Sequence, residues 1–219
     1  MRHELQVLDD PDALAGAAAA YVVGRARAAV AASGHFHIAV SGGHTPWAMF
    51  AELASDEVPW DRTIVYQVDE RVAPPDDPDR NLAHLTEALA GAPAEVRAMP
   101  VTDEDLDAAA ARYASALPDR FDVVHLGLGP DGHTASLVPG DAVLGVVDRL
   151  VALTAQPYQG RRRMTLTYPA LARARQVLWL VSGEDKRAPL AKLLAGDRSI
   201  PAGRVEASAS LVLADRSAA

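Results

Sequence analysis

The segment that most constrains this chain reads Gly127-Leu128-Gly129-Pro130-Asp131-Gly132-His133-Thr134-Ala135-Ser136-Leu137-Val138-Pro139-Gly140. It directly follows residues 121–126, a mostly apolar run that predicts a strand. Glycines bend the chain where that strand ends, and open α/β sheets bind ligands in loops at the carboxyl ends of their strands. Asp131 and His133 lie in this loop, and a histidine with an unperturbed pKa of about 6.5 can act as a base near neutral pH. The segment therefore predicts a chemically active loop at the end of a strand.

Strands and helices alternate along the rest of the chain. Short apolar or β-branched runs predict strands at residues 35–40, 63–68, 122–127, 150–153, 163–166, 176–181 and 211–213. Helical patterns and end signals predict helices at residues 11–32, 46–54, 81–89 and 104–117, and one after residue 186 that ends near 196. This alternation indicates a Rossmann-like α/β fold, with a mostly parallel sheet and helices on both faces. We expect a single domain over residues 1–219, with the helix at 11–32 as its first element.

The composition excludes several classes of protein. The chain has 219 residues, a formal net charge of −8 and no cysteine. Without cysteine there are no disulfides, thiol nucleophiles or Cys-based metal sites, and we expect a cytoplasmic location. An acidic chain is a poor nucleic-acid binder, because neutralising phosphates needs clustered Lys and Arg. The alanine-rich residues 17–23 fall well below the roughly 18 residues of a membrane span, and the first residues lack the apolar core of a signal peptide. We therefore expect neither a nucleic-acid nor a membrane partner.

Two more loops carry polar groups at the ends of strands. Ser41-Gly42-Gly43-His44-Thr45-Pro46 joins a strand to a helix, so its backbone N–H groups and the helix start can hold an anion. The same residues are also typical of a tight βα turn. Asp69-Glu70-Arg71 follows the next strand, where Arg71 would suit an oxyanion and Asp69 a sugar hydroxyl. Taken alone, three charged residues there are more typical of a solvated strand edge.

An anionic small molecule needs only local positive charge. The candidate cations are Arg71, Arg161, Arg162, Arg163, Lys186 and Arg187. A run such as residues 161–163 is also typical of a solvated loop, so the sequence leaves both interpretations open.

The glycines of the opening segment also satisfy the dinucleotide fingerprint Gly-x-Gly-x-x-Gly. We reject that interpretation because Asp131 would repel a pyrophosphate, and because Asp148, about 20 positions on, precedes its strand instead of following it. Asp131 suits a different role, since an aspartate that holds an imidazole supports a general base. Among the seven histidines, only His44 and His133 lie in candidate loops, and we interpret the others as surface or packing residues. The chain has no Gly-x-Ser-x-Gly elbow and no histidine metal motif, so we expect neither a serine hydrolase nor a metal site.

Taken together, these loops resemble the 6-phosphogluconolactonase family, within the glucosamine-6-phosphate isomerase/6-phosphogluconolactonase superfamily. The matching pieces are Ser41-Gly42-Gly43 with Thr45-Pro46, Asp69-Glu70-Arg71 with Asn81, Gly127 to Leu137, Arg163 to Thr167, and Val181-Ser182-Gly183 with Lys186. The resemblance spans almost the whole chain, and the run from Asp131 to Leu137 is its most specific part. His44 departs from the family, which more often has serine there; a protonated His44 would add charge instead.

The resemblance implies hydrolysis of 6-phospho-D-glucono-1,5-lactone to 6-phospho-D-gluconate, in the oxidative pentose phosphate pathway. It also implies a fold shared with glucosamine-6-phosphate deaminases and ribose-5-phosphate isomerases. By this resemblance His133 is the catalytic base, which Asp131 orients. The substrate-binding residues would be Gly42, Gly43, His44, Thr45, Asp69, Arg71, Asn81, Arg163 and Lys186. We expect a small sugar-phosphate lactone as the partner, no cofactor or metal, and a monomer or weak homodimer.

Two other functions are compatible with parts of this sequence, namely glucosamine-6-phosphate deamination and sugar-phosphate sensing. Glucosamine-6-phosphate deaminases resemble the chain in the glycine loop and in Asp-Gly-His, but they usually follow that histidine with Ile-Ala-Phe-Asn-Glu-Pro. Here Val138 occupies the position of the glutamate that assists ring opening, and a valine cannot transfer a proton. A sugar-phosphate sensor on the same fold would usually carry a DNA-binding module, which the acidic composition disfavours.

Overall fold

A computed structural model of the chain describes residues 3–53 and 58–219. Its strands are β1 (Glu4–Leu8), β2 (Phe36–Val40), β3 (Thr63–Gln67), β4 (Asp69–Arg71), β5 (Glu95–Arg97), β6 (Phe121–Gly127), β7 (Val151–Leu153), β8 (Arg163–Leu166), β9 (Ala174–Val181) and β10 (Ser210–Asp215). Its α-helices are α1 (Pro11–Ser33), α2 (His44–Leu53), α3 (Asn81–Ala88), α4 (Leu106–Ser115), α5 (Tyr168–Leu171) and α6 (Arg187–Leu194). No helix in these described ranges has the length and apolar character needed to cross a membrane.

Seven strands form one sheet in the order β1-β10-β9-β6-β2-β3-β5, and every neighbouring pair in it is parallel. A second, three-stranded sheet has the order β4-β8-β7 and is antiparallel. The prediction of a mostly parallel α/β sheet is confirmed. All carboxyl ends of the parallel strands meet at one edge, which is where the loops of the sequence analysis gather.

Both faces of the parallel sheet are buried, as the alternation along β9 shows. Leu178 and Leu180 pack with residues of α1, α2 and α3 on one face. Val177, Trp179 and Val181 pack with residues of α4, α5 and α6 on the other. Because successive strand side chains point to opposite faces, a continuous apolar run buries itself on both sides. Helices therefore cover both faces, as the sequence predicts.

The ends of α1 follow from local chemistry. The Asp10 side chain accepts a hydrogen bond of 2.8 Å from the backbone N–H of Ala13, and Pro11 occupies the first turn. At the other end Gly34 adopts a φ of 83°, a left-handed conformation that ends helices and favours glycine. The predicted helix at residues 11–32 is confirmed to within one residue.

Several sequence-based predictions need correction. A strand, β1, precedes α1, so the first helix is not the first element, and β5 has no predicted counterpart. Residues 150–153 and 163–166 contain strands, but β7 and β8 belong to the antiparallel sheet. The charged triplet Asp69–Arg71 is itself a strand and pairs with β8, instead of forming a loop. α2 begins at His44 instead of residue 46, and the predicted end of this helix at residue 54 lies outside the described residues.

Candidate active site

A cleft of about 560 Å³ opens at the carboxyl ends of the parallel strands. Loops after β2, β6 and β9 line it, together with β4, the start of β8 and the connection between β7 and β8. It brings together the predicted residues Gly42, Gly43, Thr45, Asp69, Arg71, Asn81, His133, Arg163 and Lys186. Residues from six separate parts of the chain thus meet at the edge where α/β sheets bind ligands. The side chain of His44 lies outside the described part of the structure.

His133 and Asp131 form a close pair in the loop after β6. One carboxylate oxygen of Asp131, Oδ1, lies 2.5 Å from His133 Nδ1 and 3.0 Å from the His133 backbone nitrogen, which donates to it. Burial raises the pKa of Asp131, but the hydrogen bonds from the backbone and ring of His133 outweigh it and hold the pKa below its usual value. An ionised carboxylate only accepts, so Nδ1 carries the ring proton. Nε2 then has a free lone pair, and it makes no hydrogen bond to any described residue.

The close approach of this histidine to the loop requires Gly129. A Cβ atom at this position would lie 2.0 Å from His133 Nδ1 and 2.8 Å from Asp131 Oδ1. The backbone N–H of Gly129 also donates to the His133 carbonyl at 2.9 Å, and the Thr134 hydroxyl donates to the Gly127 carbonyl at 2.9 Å. The glycine therefore makes room for the ring, and the backbone bonds close the loop around it.

Tyr158, in the β7–β8 connection, is a site residue that the sequence analysis missed. Its hydroxyl oxygen lies 3.3 Å from His133 Nδ1 and 3.5 Å from Asp131 Oδ2, and its ring meets the His133 ring edge-on with 5.1 Å between centroids. Burial, and then the charge of Asp131, raise the pKa of Tyr158, so the hydroxyl keeps its proton near neutral pH. No motif surrounds this tyrosine in the sequence, and only the fold brings it to the His133–Asp131 pair.

Asn81, at the start of α3, joins the glycine loop to Arg71. Its Oδ1 accepts from the Arg71 guanidinium at 2.5 Å, and its Nδ2 donates to the Asp69 carbonyl at 3.0 Å. A Cβ atom on Gly42 would lie 2.0 Å from Asn81 Oδ1. Gly42 is therefore required for the close approach of the Asn81 amide, in addition to any role in binding an anion.

Asp69 and Arg163 lie deeper in the cleft, and both side chains are almost fully buried. The Ser136 hydroxyl donates to Asp69 Oδ2 at 2.5 Å, and the Arg163 guanidinium lies 4.0 Å from the same oxygen. Burial lowers the pKa of Arg163, while the charge of Asp69 opposes that change. Arg163 Nε is buried and has no hydrogen-bond partner among the residues that the structure describes. Asp69 is therefore held by protein groups, while Arg163 keeps an unused donor.

The residue between Asp69 and Arg71 points away from the cleft. Glu70 is completely buried, and its carboxylate accepts from the backbone N–H groups of Arg71, Asn81 and Leu82, each at 2.8 Å. The Asn81 and Leu82 groups belong to the first turn of α3, whose unpaired donors favour a carboxylate. The alternative of a solvated strand edge is wrong for this triplet, because Glu70 fastens β4 to α3.

Only part of the predicted positive charge reaches the cleft. Arg71, Arg163 and Lys186 line it, and Asp69 is the only carboxylate among its described lining residues. Arg161 instead pairs with Asp77 at 2.5 Å, so the run at residues 161–163 divides between the cleft and the surface. Arg162 and Arg187 donate to the backbone carbonyls of Thr154 and Ser217. The described lining thus carries an excess of cations, which favours an anionic ligand.

The glycine loop places the amino-terminal end of α2 at the cleft. Gly43 adopts a φ of 131°, which favours glycine, and α2 starts at the next residue. Thr45 lines the cleft beside the loop, and Lys186 lines it from the loop after β9, where its amine pairs with Asp185. The start of a ten-residue helix beside Arg71 and Lys186 is an arrangement that suits a phosphate group.

Known proteins that resemble this chain in sequence or in structure are repeatedly named 6-phosphogluconolactonase. The family model described as glucosamine-6-phosphate isomerases/6-phosphogluconolactonase matches residues 9–213. A 6-phosphogluconolactonase of Mycobacterium tuberculosis is 38% identical over 242 aligned positions, covering 100% of this chain and 98% of that protein. The crystal structure of a 6-phosphogluconolactonase from Shewanella baltica superposes with a TM-score of 0.89 at 27% identity, covering 98% of each chain.

A monomeric glucosamine-6-phosphate deaminase shares the fold, with a TM-score of 0.86 at 18% identity over 100% of this chain and 98% of that one. The predicted fold relation to these deaminases is confirmed; the one to ribose-5-phosphate isomerases stays a prediction. The extent of the family match and the identity to the mycobacterial relative decide the assignment. The chain belongs to the glucosamine-6-phosphate isomerase/6-phosphogluconolactonase family.

Proposed function

We propose that this chain hydrolyses 6-phospho-D-glucono-1,5-lactone to 6-phospho-D-gluconate, the lactone-opening step of the oxidative pentose phosphate pathway. The observation that carries the proposal is the His133–Asp131 pair, joined at 2.5 Å, in a cleft that Arg71, Arg163 and Lys186 also line. Close relatives named 6-phosphogluconolactonase support the same activity. A cytoplasmic location, a single domain and a monomeric or weakly dimeric state remain part of the proposal.

His133 acts as the general base in this mechanism. Nε2 takes a proton from a water molecule, and the oxygen of that water forms a bond to the lactone carbonyl carbon. The tetrahedral intermediate then breaks its bond to the ring oxygen, and the imidazolium returns the proton to that oxygen. Asp131 keeps Nδ1 protonated, so that Nε2 is free to accept, and it stabilises the imidazolium. A lactone is already an activated ester, so these steps need neither a metal nor a covalent intermediate.

The cations of the cleft hold the phosphate and place the carbonyl against His133. Arg71 approaches from β4 and Lys186 from the loop after β9, and the start of α2 adds backbone N–H groups at the same cleft. Binding energy from this remote group positions the reacting carbonyl and so contributes to the rate. Arg163 lies behind Tyr158 and contributes positive charge near the sugar.

The His133→Asn variant tests the assignment. General acid–base catalysis is worth about 100- to 10,000-fold, so kcat should fall by that range while the fold stays intact. Initial rates of 6-phosphogluconate formation, corrected for the spontaneous hydrolysis of the lactone, measure the effect. His35→Asn is the matched control, because His35 is exposed and does not line the cleft. Turnover within a few-fold of wild type in His133→Asn would contradict the mechanism.

Deamination of glucosamine 6-phosphate is the competing activity. Deaminases need a glutamate where this chain has Val138, and Val138 is not among the described residues that line the main cleft. A coupled assay for ammonia release from glucosamine 6-phosphate separates the two activities. We expect no release above background; release at a rate similar to lactone hydrolysis would overturn the proposed specificity.

A further inference from the structure

The Tyr158 side chain contacts both the catalytic pair and a buried cation. Its ring meets the His133 ring, with 5.1 Å between the centroids. The Arg163 guanidinium carbon lies 5.3 Å from the Tyr158 ring centroid, within the range of a cation–π interaction. The ring therefore contacts both an imidazole and a guanidinium, and both of those groups line the cleft.

A tight turn holds Tyr158 in this position. Tyr158 and Arg161 form a β-bridge, and the two residues between them, Gln159 and Gly160, have φ values of 52° and 80°. Two successive positive φ values are typical of the type I′ hairpin turn. A non-glycine residue seldom adopts such a φ, and here the Arg163 guanidinium donates to Gln159 Oε1 at 3.1 Å. Arg163 thus stabilises both the ring of Tyr158 and the turn that carries it.

The hydroxyl of Tyr158 completes the hydrogen bonding of the pair. Asp131 Oδ1 accepts the hydrogen bond from His133 Nδ1–H, so the Tyr158 hydroxyl has Asp131 Oδ2, at 3.5 Å, as its acceptor. That distance is long, and hydrogen bonds in active sites often tighten when the substrate binds. Two donors, one from the imidazole and one from the phenol, then share a single carboxylate.

We propose that Tyr158 is a positioning residue, which keeps the His133 ring oriented with Nε2 free toward the cleft and sets how strongly Asp131 supports it. The proposal rests on the role of His133 given above. Tyr158 touches neither the water nor the carbonyl in this scheme. It acts through its hydroxyl on Asp131 and through its ring on His133.

Two substitutions separate these contributions. Tyr158→Phe keeps the ring and removes the hydroxyl, and losing one hydrogen bond should lower kcat about tenfold with KM within about twofold of wild type. Tyr158→Ala also removes the contact with the rings of His133 and Arg163, so its kcat should fall further. Without the hydroxyl, the charge of Asp131 acts more fully on the imidazolium, so the acidic limb of the kcat/KM profile should move to higher pH.

Tyr66→Phe is the matched control. The Tyr66 hydroxyl lies 3.2 Å from His37 Nδ1, so the same chemical change removes a similar tyrosine–histidine contact, at residues that do not line the cleft. We expect an unchanged pH profile in this variant. The other charged lining residues, Asp69, Arg71, Arg163 and Lys186, are the same in every variant, so a shift confined to Tyr158→Phe reports on Tyr158.

An NMR titration of the histidine rings tests the proposal without turnover. The His133 resonances are assigned from their loss in His133→Asn, and their midpoint should lie higher in Tyr158→Phe than in wild type. If wild type failed to open the lactone, the proposed function would be wrong, and the titration would still measure the effect of Tyr158 on His133. An unchanged His133 midpoint in Tyr158→Phe, or kcat within twofold of wild type in both Tyr158 variants, would overturn the proposal.

Discussion

His125 offers a stability prediction whose size follows from its burial. It lies on β6 with no exposed surface, and its Nδ1 accepts from the Ser41 backbone N–H at 3.3 Å. Its Nε2 has no hydrogen-bond partner within residues 3–53 and 58–219. Burial lowers the pKa of His125 from 6.5 to about 3. The folded protein therefore keeps this ring neutral in a pH range where the unfolded chain takes up a proton.

The sign of the effect follows from proton linkage. The stability that neutral His125 allows is fully present above pH 6.5 and is lost as the pH falls toward 3. Each unit of pKa difference corresponds to about 1.4 kcal/mol, so between pH 7 and pH 4 this residue alone should lower the free energy of unfolding by about 3 kcal/mol.

Urea unfolding followed by tryptophan fluorescence at pH 7, 5.5 and 4 measures this loss. His125→Asn keeps an acceptor for the Ser41 N–H but cannot titrate, so its free energy of unfolding should fall about 3 kcal/mol less than that of wild type over this range. His35→Asn, at an exposed position, should follow wild type. Equal losses in wild type and His125→Asn would refute the reasoning. An NMR signal of wild-type His125 that titrates above pH 5 would refute it as well, even if the variant did not fold.

Two further predictions concern the loop geometry and the buried carboxylate. Gly129→Ala would place a Cβ 2.0 Å from His133 Nδ1 and should lower kcat about 100-fold with the fold retained, because small displacements of a catalytic group are costly. Gly145→Ala, whose added Cβ meets no described atom within 4 Å, should leave kcat unchanged. Equal kcat values in the two variants would count against this geometry. Glu70→Gln removes the charge that α3 and Arg80 surround, and urea unfolding should show a loss of about 3 kcal/mol. A loss below about 1 kcal/mol would show that Glu70 does not fasten β4 to α3.

Local chemistry was enough to predict α1 and the buried central strands. Asp10, Pro11 and Gly34 are helix-end signals that act within one turn of the helix. The continuous apolar run of β9 predicts burial on both faces without knowledge of which strands pair with it. β1 was missed because its residues are largely exposed and its conformation depends on pairing with β10. The second sheet was missed for a related reason, since the pairing of β4 with β8 joins segments far apart in the sequence.

The candidate site likewise combines contacts that are local in sequence with contacts that depend on tertiary structure. His133 and Asp131 are two positions apart, so their contact is local and their spacing predicts it. The contact of Asn81 with Gly42 and the approach of Tyr158 to His133 depend on tertiary structure, and no spacing along the chain encodes them. A loop rich in charge, such as residues 161–163, likewise does not reveal which of its arginines turns inward.

The alternation along β4 makes the electrostatic character of the cleft a matter of strand register. Asp69 and Arg71 face the cleft, while Glu70, between them, faces the first turn of α3. A one-residue slip that moved Arg71 to the present position of Glu70 would bring Glu70 to the cleft face and place an arginine where a carboxylate now lies. The site would then lose a cation, and α3 would lose its anion. An insertion or deletion with that effect in this short strand would therefore change the charge of the cleft and weaken the fold together, even though His133 and Asp131 had not been replaced.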